Sequence, residues 1–394
     1  MSKKLYYFNP TCEMEVVNDT PYYTAPKMIE SLKKSLSIVP IFLANEDDYI
    51  LIDDDIPVEF IEMLKNYGLT VPKVISLKNS NNEIVDAVEF EPWGWSKSVT
   101  QKVRKFALDN DITLKENYLW DSDSRKMLSR FSGYELLKIV SKKISISKNL
   151  SIPQLPIVVT KLDDLVDIEK EMKTPMLIKT PWSASGRGLY NIRSNNERSY
   201  ESQWVKAKLN EQKTLFVEPL LNKKQDLSFH FYKDGSQISF VGINYFESAK
   251  DGKFQGCYVN YKQNPDFNLH IINKDAIDEA KIILQESLKE LSSIVNYSGY
   301  IGIDALFFED VNGEISLHPA IEMNLRKTMG LVNIFIEKNI DKDSYGFWEI
   351  VSRKEYLQHC PHKNSVNNGK LVSGKFNLSP NDESRSVVML LKLV

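Results

Sequence analysis

A lysine and a run of small residues near the middle of the chain have the composition of a phosphate-binding loop. Lys179 ends an apolar segment, and the loop Pro-Trp-Ser-Ala-Ser-Gly-Arg-Gly after it closes at Gly188. Glycines let backbone N–H groups approach a ligand closely, while hydroxyl groups and cations add hydrogen-bond donors and positive charge. These properties suit a triphosphate, although an ordinary hairpin loop of small residues also fits. The candidate loop ligands are Ser183, Ser185, Gly186, Arg187 and Gly188.

The order of residues in this loop excludes two common nucleotide motifs. In a P-loop the lysine follows the glycines, whereas Lys179 precedes them. A dinucleotide-binding fingerprint needs a helix that begins at the glycines, and the sequence here predicts a return strand instead. The loop is therefore a phosphate-site candidate of a different kind.

A second group of polar residues lies in two apolar segments near residues 300 to 326. Asp304 interrupts Tyr-Ile-Gly-Ile-Asp-Ala-Leu-Phe-Phe, and a carboxylate in such a strand is costly unless cations or donors compensate it. Glu322, Asn324 and Arg326 alternate with apolar residues, so a strand would carry all three on one face. If the two strands are antiparallel neighbours, Asp304 lies near Glu322.

The chemistry of this second group points to a metal ion. Two carboxylates and an amide oxygen are ligands that suit Mg²⁺, which shares its other positions with water and phosphate oxygens. Arg326 beside them would meet a phosphate or a developing oxyanion. The alternative is a buried salt-bridge network around Arg326, but such a network gives no reason for Asn324.

The elements that must position these residues fall into two patterns. The first 120 residues alternate between strands and helices, which indicates a parallel sheet covered by helices. Ser96 is the expected N-cap of one of the helices. The predicted strands span 5–8, 38–43 and 74–77, and the predicted helices span 25–36, 58–67 and 96–108.

The rest of the chain is helix-rich and basic over 121–150, and Pro153 and Pro156 then end any helix. Further on strands dominate, and the last sixty residues have no clear pattern. The predicted strands span 157–160, 176–180, 189–193, 215–218, 227–232, 238–245, 300–308 and 314–323, and the helices span 162–172, 198–209 and 275–295. The fold class is therefore α/β with a substantial antiparallel part (α+β).

Together the loop and the Asp…Glu-x-Asn-x-Arg pattern resemble the ATP-grasp superfamily over residues 121–335. The chain also resembles a group of bacterial ATP-grasp proteins without an assigned substrate, in which the first strand ends in Asn-Pro and a Trp-Gly-Trp segment follows. The resemblance implies a pre-ATP-grasp α/β domain over 1–120, a small lobe with a lid loop over 121–213, and a large antiparallel-sheet lobe over 214–394.

The resemblance also implies roles for single residues at the nucleotide. Lys179 would contact the α- and β-phosphates, and the loop 183–188 would fold over the triphosphate. Glu218 and the Leu220 backbone would form the hinge that reads adenine, and Asp226 would hold the ribose hydroxyls. The family often has one more cation at the entry to the small lobe, for which Lys126 and Arg130 are both candidates.

At the metal, the resemblance implies that Asp304, Glu322 and Asn324 bind two Mg²⁺ ions, with Mn²⁺ as an alternative. Arg326 would stabilise the transferring phosphoryl group. The implied activity is that of a carboxylate–amine ligase acting on a small acid, amino acid or peptide, with ATP converted to ADP and phosphate. A phosphotransferase acting on a hydroxyl group and a non-catalytic nucleotide-binding module are the alternatives.

Composition sets the expected surroundings of the protein. The 394 residues carry a formal net charge of −3, which does not favour nucleic acid as a partner. Three cysteines indicate a reducing compartment rather than a disulfide framework, and no apolar run has the length of a membrane span. We therefore expect a cytoplasmic protein with small-molecule carboxylate and amine substrates, and a homodimer is allowed.

Several weaker signals have competing interpretations. Asn9, Glu13 and Thr24 follow the first strand and are candidates for substrate contacts, or they belong to a structured loop. Trp93 and Trp95 can line a pocket, but such pairs more often pack in a core. His359, Cys360 and His362 lack a second pair of metal-binding residues, so we do not predict a metal site there. His318, directly before Pro319, is expected to be a packed histidine.

Overall fold

A computed structural model describes residues 2–78, 84, 87–115, 120, 123–172, 175–183, 188–194, 198–249, 251–358 and 364–394. The strands are β1 (Lys3–Tyr7), β2 (Tyr49–Ile52), β3 (Lys73–Ser76), β4 (Val88–Pro92), β5 (Leu114–Lys115), β6 (Ile157–Val159), β7 (Met176–Lys179), β8 (Leu189–Ile192), β9 (Leu215–Pro219), β10 (Asn222–Asp234), β11 (Gln237–Ser248), β12 (Phe254–Val259), β13 (Gly299–Glu309), β14 (Ile315–Asn324), β15 (Gly346–Ser352), β16 (Ser365–Asn367), β17 (Lys370–Asn377) and β18 (Val387–Leu393). The helices are α1 (Cys12–Asn18), α2 (Lys27–Leu36), α3 (Val58–Asn66), α4 (Lys97–Asp109), α5 (Ser124–Met127), α6 (Arg130–Lys143), α7 (Leu162–Glu171), α8 (Gln203–Gln212), α9 (Lys274–Glu290), α10 (Met329–Glu337) and α11 (Arg353–Gln358). The chain divides into two compact units, the first comprising Met1–Asp121, Gln255–Phe267 and Arg326–Val394, and the second comprising Ser122–Phe254 and Asn268–Leu325.

The first unit contains the parallel sheet that the alternating pattern predicts. Its strands lie in the order β3-β2-β1-β4-β5, and every neighbouring pair is parallel. Helix α4 begins where predicted, because the Ser96 hydroxyl accepts a hydrogen bond of 3.0 Å from the Val99 N–H. The predicted helices over 25–36 and 58–67 are confirmed as α2 and α3.

The predicted strand over 38–43 is wrong. Residues Val39–Phe42 form a 3₁₀ helix, and all four are buried. Pro40 stands in its first turn, where the fixed φ angle and the missing N–H of proline favour a helical start. The apolar run was compatible with either structure, because burial on all sides leaves no periodicity that separates a strand from a helical turn.

The first unit also contains the last part of the chain. Strand β15 pairs antiparallel with both β12 and β18, and β17 pairs antiparallel with β18. The buried ammonium of Lys327 lies 2.6 Å from a carboxylate oxygen of Glu91, and the Ser386 N–H donates to the Ser35 hydroxyl at 3.0 Å. Contacts therefore group residues 326–394 with 1–121, whereas the division into three lobes stays a prediction.

In the second unit a small antiparallel sheet has the strand order β6-β9-β7-β8, and helices α7 and α8 contribute to its core. The predicted strand–loop–strand around the glycines is confirmed, because Lys179 in β7 pairs with Leu189 in β8. The helix predicted over 198–209 begins later, at Gln203, because the Ser202 hydroxyl caps it by accepting from the Val205 N–H at 3.4 Å.

A longer antiparallel set of strands, ordered β14-β13-β10-β11, completes the second unit. Helices α6 and α9 pack against it and are joined by an ion pair of 2.8 Å between Lys143 and Glu290. As predicted from the sequence, β13 and β14 are antiparallel neighbours, and Asp304 lies opposite Glu322.

The pairing of β13 with β14 is irregular next to these two carboxylates. Leu306 pairs with His318, so a step of two residues on β13 corresponds to a step of four on β14. Pro319 stands in the extra stretch and has no N–H for the ladder, which explains why pairing is interrupted there. The bulge changes which groups of β14 are available to the neighbouring strands and helix.

Within the described ranges, no helix combines the length and the apolar composition that crossing a membrane requires.

Candidate functional site

A cleft in the second unit brings together residues from α6, β7, β9 and β14. Its empty volume is about 440 Å³. Three charged residues that the sequence singled out, Lys179, Glu218 and Glu322, line it together with Arg130. The remaining lining residues are Gly133, Tyr134, Leu136, Leu137, Pro156, Phe216, Ala320, Ile321 and Met323.

Lys179 ends β7 and is only 5% exposed. Its ammonium lies 2.5 Å from a carboxylate oxygen of Glu218, which the antiparallel pairing of β7 and β9 brings alongside. It also donates to the Ile321 carbonyl at 3.2 Å. Ile321 lies in β14, which is the edge strand of its sheet, so a carbonyl on the outer side of the strand has no neighbouring strand among the described residues and is available to the lysine.

Arg130 is the first residue of α6 and lines the cleft, whereas Lys126 is exposed. Its guanidinium lies 2.8 Å from a Glu322 carboxylate oxygen and donates to the Ser183 hydroxyl at 2.8 Å. Its backbone N–H donates to the Pro181 carbonyl at 2.9 Å, which holds the helix start against the loop. Of the two cations left open by the sequence, Arg130 is the one at the cleft.

The loop after Lys179 is held closed at its base. The Thr180 N–H donates to the Gly188 carbonyl at 3.0 Å. A Cβ atom on Gly188 would lie 2.2 Å from Ser183 Cβ and 2.3 Å from Thr180 Oγ1, so only glycine fits without displacement. The candidates Ser185, Gly186 and Arg187 lie outside the described residues.

The candidate metal ligands Asp304, Glu322 and Asn324 come together as their spacing predicts. Asp304 and Glu322 are cross-strand partners, and the Asn324 side-chain N–H donates to Asp304 Oδ2 at 3.2 Å. Over the described ranges, no group of three or more histidine, cysteine, aspartate or glutamate side chains is placed to hold a metal ion. The donor set is thus two carboxylates and one amide oxygen, which fits Mg²⁺ when phosphate oxygens and water complete its coordination.

Arg326 does not share a strand face with Glu322 and Asn324, and this part of the sequence interpretation is wrong. Strand β14 ends at Asn324, and Arg326 belongs to the first unit. There the N–H of Lys327 donates to the Trp93 carbonyl at 2.9 Å, which draws the chain out of the strand direction. The Arg326 guanidinium instead pairs with Glu13, at 2.8 and 2.9 Å from Oε1.

The proposed hinge and ribose residues have partners of their own. The Leu220 N–H donates to the Pro175 carbonyl at 3.0 Å. A buried carboxylate oxygen of Asp226 accepts from the Lys223 ammonium and the Ser248 hydroxyl, each at 2.5 Å. Of these candidates, Glu218 lines the cleft described above, and the roles of Leu220 and Asp226 stay predictions.

A second cleft of about 320 Å³ adjoins the first. The two share Leu137, Pro156, Glu218 and Ile321. Its other lining residues are Pro153, Gln154, Pro219, Leu221 and His318. The sequence analysis did not predict this cleft. The sequence feature related to it is the adjacent pair His318 and Pro319, because His318 lines the cleft.

Two of the weaker first-lobe candidates serve the structure itself. The Asn9 amide exchanges two hydrogen bonds with the backbone of Gly94, at 2.8 and 3.3 Å. Trp93 is buried and packs edge-on against Phe8. Thr24 is exposed, and the candidates His359, Cys360 and His362 lie outside the described residues.

A charged cluster that sequence reasoning missed lies at the carboxyl ends of β1 and β2. The Tyr7 hydroxyl donates to Asp53 at 2.8 Å and accepts from Lys33 and Lys102 at 2.7 and 2.6 Å. Burial would raise the pKa of Asp53, but the two ammonium groups outweigh burial and hold that pKa at about 2. Burial raises the pKa of the Tyr7 hydroxyl well above its usual value, so the tyrosine stays neutral.

Comparisons with solved structures identify the fold at low sequence identity. Biotin carboxylase from Campylobacter jejuni, in complex with β,γ-ATP, is 12% identical, with a TM-score of 0.52 and coverage of 100% of this chain and 87% of that one. The biotin carboxylase domain of 2-oxoglutarate carboxylase from Hydrogenobacter thermophilus, with MgADP and bicarbonate, is 13% identical, with a TM-score of 0.53 and coverage of 100% and 86%. N5-carboxyaminoimidazole synthetase from Staphylococcus aureus, with ADP, is 13% identical, with a TM-score of 0.50 and coverage of 100% and 93%. No family model and no curated protein matches the sequence. From the two antiparallel sheets around the cleft and these structural likenesses, we conclude that the chain has the ATP-grasp fold.

Proposed function

We propose that this protein is an ATP- and Mg²⁺-dependent ligase that activates a carboxylate as an acyl phosphate for attack by an amine. The observation that carries the proposal is the convergence of Lys179, Arg130, Glu218 and Glu322 on one cleft. They come from four different elements, and the predicted phosphate loop begins directly after Lys179. Such convergence of cations and carboxylates is what a metal-bound polyphosphate requires.

The charges of the cleft support separate roles for its residues. Lys179 and Arg130 supply positive charge for phosphate oxygens, and Arg130 also contacts Ser183 of the loop. In the present arrangement each cation is neutralised by a carboxylate, Glu218 or Glu322. A polyphosphate would compete for the same cations, so binding and the rearrangement of these ion pairs are coupled.

Asp304, Glu322 and Asn324 are the residues that would hold Mg²⁺ in this proposal. The metal would supply positive charge that neutralises the transferring phosphoryl group. Asn324 is buried, and its side-chain N–H donates to Asp304, which supports the proposal because two of the candidate ligands lie side by side. Arg326 is retained as the proposed stabiliser of the phosphoryl group on the basis of the family resemblance alone.

The reaction has two steps. A carboxylate oxygen of the substrate attacks the γ-phosphorus as the bond to ADP breaks, which gives an acyl phosphate. The amine nitrogen then attacks the acyl carbon, phosphate leaves, and the nitrogen loses a proton. Similar structures carry ADP or an ATP analogue, and one also carries bicarbonate, which supports nucleotide-dependent activation of a carboxylate-type acid here. A small acid, amino acid or peptide is the proposed substrate class.

Hydroxylamine trapping tests the proposal. We expect a panel of amino acids and dipeptides, with ATP, Mg²⁺ and hydroxylamine, to yield a hydroxamate for at least one acid, because hydroxylamine intercepts an acyl phosphate. Lys179→Ala should lower the rate at least a hundredfold and weaken ATP binding measured by calorimetry. EDTA should abolish the product.

The matched control is Lys170→Ala, since Lys170 is an exposed lysine of the same unit whose partner is Asp167 on the same helix. This variant should keep the wild-type rate. A phosphorylated hydroxyl compound without any hydroxamate would show a phosphotransferase instead. Wild-type protein that binds no ATP would refute the proposal as a whole.

A further inference from the structure

The two adjoining clefts differ in the charge and polarity of their lining residues. That difference determines which end of a bound nucleotide would lie in which cleft. The first contains the charged groups Lys179, Arg130 and Glu322. The second is mostly apolar, and its polar side chains among the described residues are Gln154, Glu218 and His318. A ligand that spans both would place its charged end in the first cleft and a flat apolar group in the second.

His318 is an unusual member of the apolar cleft. It is only 6% exposed, and its Nδ1 atom has no hydrogen-bond partner among the residues that the structure describes. Leaving a buried polar atom unpaired is unfavourable, and most such atoms in folded proteins have a hydrogen-bond partner. His318 lines the cleft, and a turn of its ring would bring this buried, unpaired nitrogen to a ligand there, so the residue is a candidate to bind what enters the cleft.

The imidazole ring of His318 is also neutral, which suits it to form a hydrogen bond with a ligand in the cleft. Burial, together with the nearby charge of Lys179, lowers the pKa of His318 to about 3. A neutral imidazole has one N–H donor and one acceptor nitrogen, so it can bind either kind of group. Its neutrality also avoids placing a second buried charge beside the Lys179 ammonium.

The hinge strand offers few backbone donors to a base. Pro219 has no N–H, and the N–H of Leu220 is already used by the Pro175 carbonyl. The carboxylate of Glu218 is shared with Lys179. A polar side chain such as that of His318 would therefore add to the recognition of a base in this cleft.

We propose that His318 hydrogen-bonds the base of a purine nucleotide in the second cleft and helps to determine which base is accepted. The inference rests on the proposed function, because it assumes that the triphosphate occupies the first cleft. His318 acts as a specificity residue and takes no part in the chemistry. The bulge of β14 before Glu322 is what separates the base-reading and metal-binding positions along one strand.

The experiment compares ATP, GTP and inorganic tripolyphosphate, each with Mg²⁺, by calorimetry on the full chain. His318→Leu should weaken the binding of the preferred purine nucleotide about tenfold, which is the size of one hydrogen bond, and leave tripolyphosphate binding unchanged. His318→Asn and His318→Gln place an amide near one or the other ring nitrogen. At least one of them should recover part of the affinity and change the ratio of ATP to GTP binding.

An unchanged ratio of ATP to tripolyphosphate affinity in His318→Leu would overturn the inference. If that variant does not fold, wild-type affinities for ATP and GTP in both amide variants would overturn it equally. Lys179→Ala separates the two proposals, because it should weaken the binding of tripolyphosphate as well as ATP. Wild-type protein that binds neither ligand would refute both the proposed function and this inference.

Discussion

The charged side chains of the cleft are arranged as ion pairs that are largely removed from water. The side chains of Lys179 and Glu218 are 6% and 17% exposed, and those of Arg130 and Glu322 are 13% and 28% exposed. Removing one member of such a pair leaves the other charge poorly compensated, which destabilises the protein beyond the loss of the contact itself. Activity measurements on these variants therefore need a parallel measurement of stability.

Glu337, at the end of α10, gives a residue-scale prediction about how stability depends on pH. Burial raises the pKa of Glu337 to about 7, and the Asn260 N–H, which donates to it at 2.8 Å, only partly opposes this effect. The folded state thus keeps a proton that the unfolded chain releases above pH 4.5. The stability that this proton contributes is fully present below pH 4.5 and is lost as the pH rises to 7. The free energy of unfolding falls by at most about 3 kcal/mol over this range.

Urea denaturation of wild type and Glu337→Gln at pH 5 and pH 7.5 measures this effect. The free energy of unfolding of the wild type, relative to that of the variant, should be lower at pH 7.5 than at pH 5, because glutamine cannot ionise. Glu355→Gln, at an exposed position, should follow the wild type. Identical pH dependence in wild type and Glu337→Gln would contradict the assignment.

At the scale of elements, the cleft depends on the edge of one sheet and on a hairpin of the other. The Ile321 carbonyl of the edge strand β14 accepts from Lys179. The hairpin of β7 and β8 closes through the bond between Thr180 and Gly188, which sets where the loop begins and ends. An edge strand has carbonyl groups that no neighbouring strand uses, so β14 can offer them to the cleft.

The hairpin gives an element-scale prediction. In Gly188→Ala the new Cβ would overlap Ser183 and Thr180, and overlap of this kind typically costs about 1–3 kcal/mol. Because the strain falls on the loop, we expect ATP affinity to drop by roughly fivefold or more, and the melting temperature to fall by a few degrees at most. Calorimetry and thermal denaturation measure the two quantities.

The control for Gly188→Ala is Gly235→Asn, in the turn between β10 and β11. Gly235 has a φ of +54°, which asparagine tolerates, and a Cβ there meets nothing within 4 Å. This variant should bind ATP as the wild type does. Normal ATP affinity in Gly188→Ala would mean that the loop adapts and that its closure does not govern binding.

At the scale of the whole molecule, the first unit is built from three separate parts of the chain. The Asn333 amide joins two of them, since it donates to the Tyr258 carbonyl at 2.8 Å and accepts from the Trp348 indole at 2.6 Å. The Arg385 guanidinium, almost fully buried, donates to the Asp55 carbonyl at 2.8 Å. The parallel sheet and the C-terminal strands therefore depend on each other for burial and hydrogen bonding.

A truncation tests this dependence. Residues 1–120 alone would lose the Lys327 partner of Glu91 and the Ser386 and Arg385 contacts with α2 and the segment after β2. We expect this fragment to lack a cooperative thermal transition by circular dichroism, whereas the full chain should melt cooperatively. A cooperative transition in the fragment would instead support an independent domain over 1–120.

The sequence by itself determined the features that arise from local patterns. The pattern of apolar residues predicted most strands, and Ser96 predicted the start of α4. Two successive apolar strands predicted that Asp304 and Glu322 lie on antiparallel neighbours. These features depend on side-chain periodicity and on hydrogen bonds between residues a few positions apart. Such interactions are visible in the order of residues.

Only the tertiary structure decided the features that depend on distant neighbours. Arg326 leaves the strand because Lys327 bonds to Trp93, more than two hundred residues earlier, and Arg130 rather than Lys126 reaches the cleft because Pro181 anchors the start of its helix. His318 lines the second cleft and has no partner for Nδ1 among the described residues, and its position directly before Pro319 in the sequence does not predict either feature. Long-range packing and hydrogen bonding set these positions, and the local sequence is compatible with either outcome.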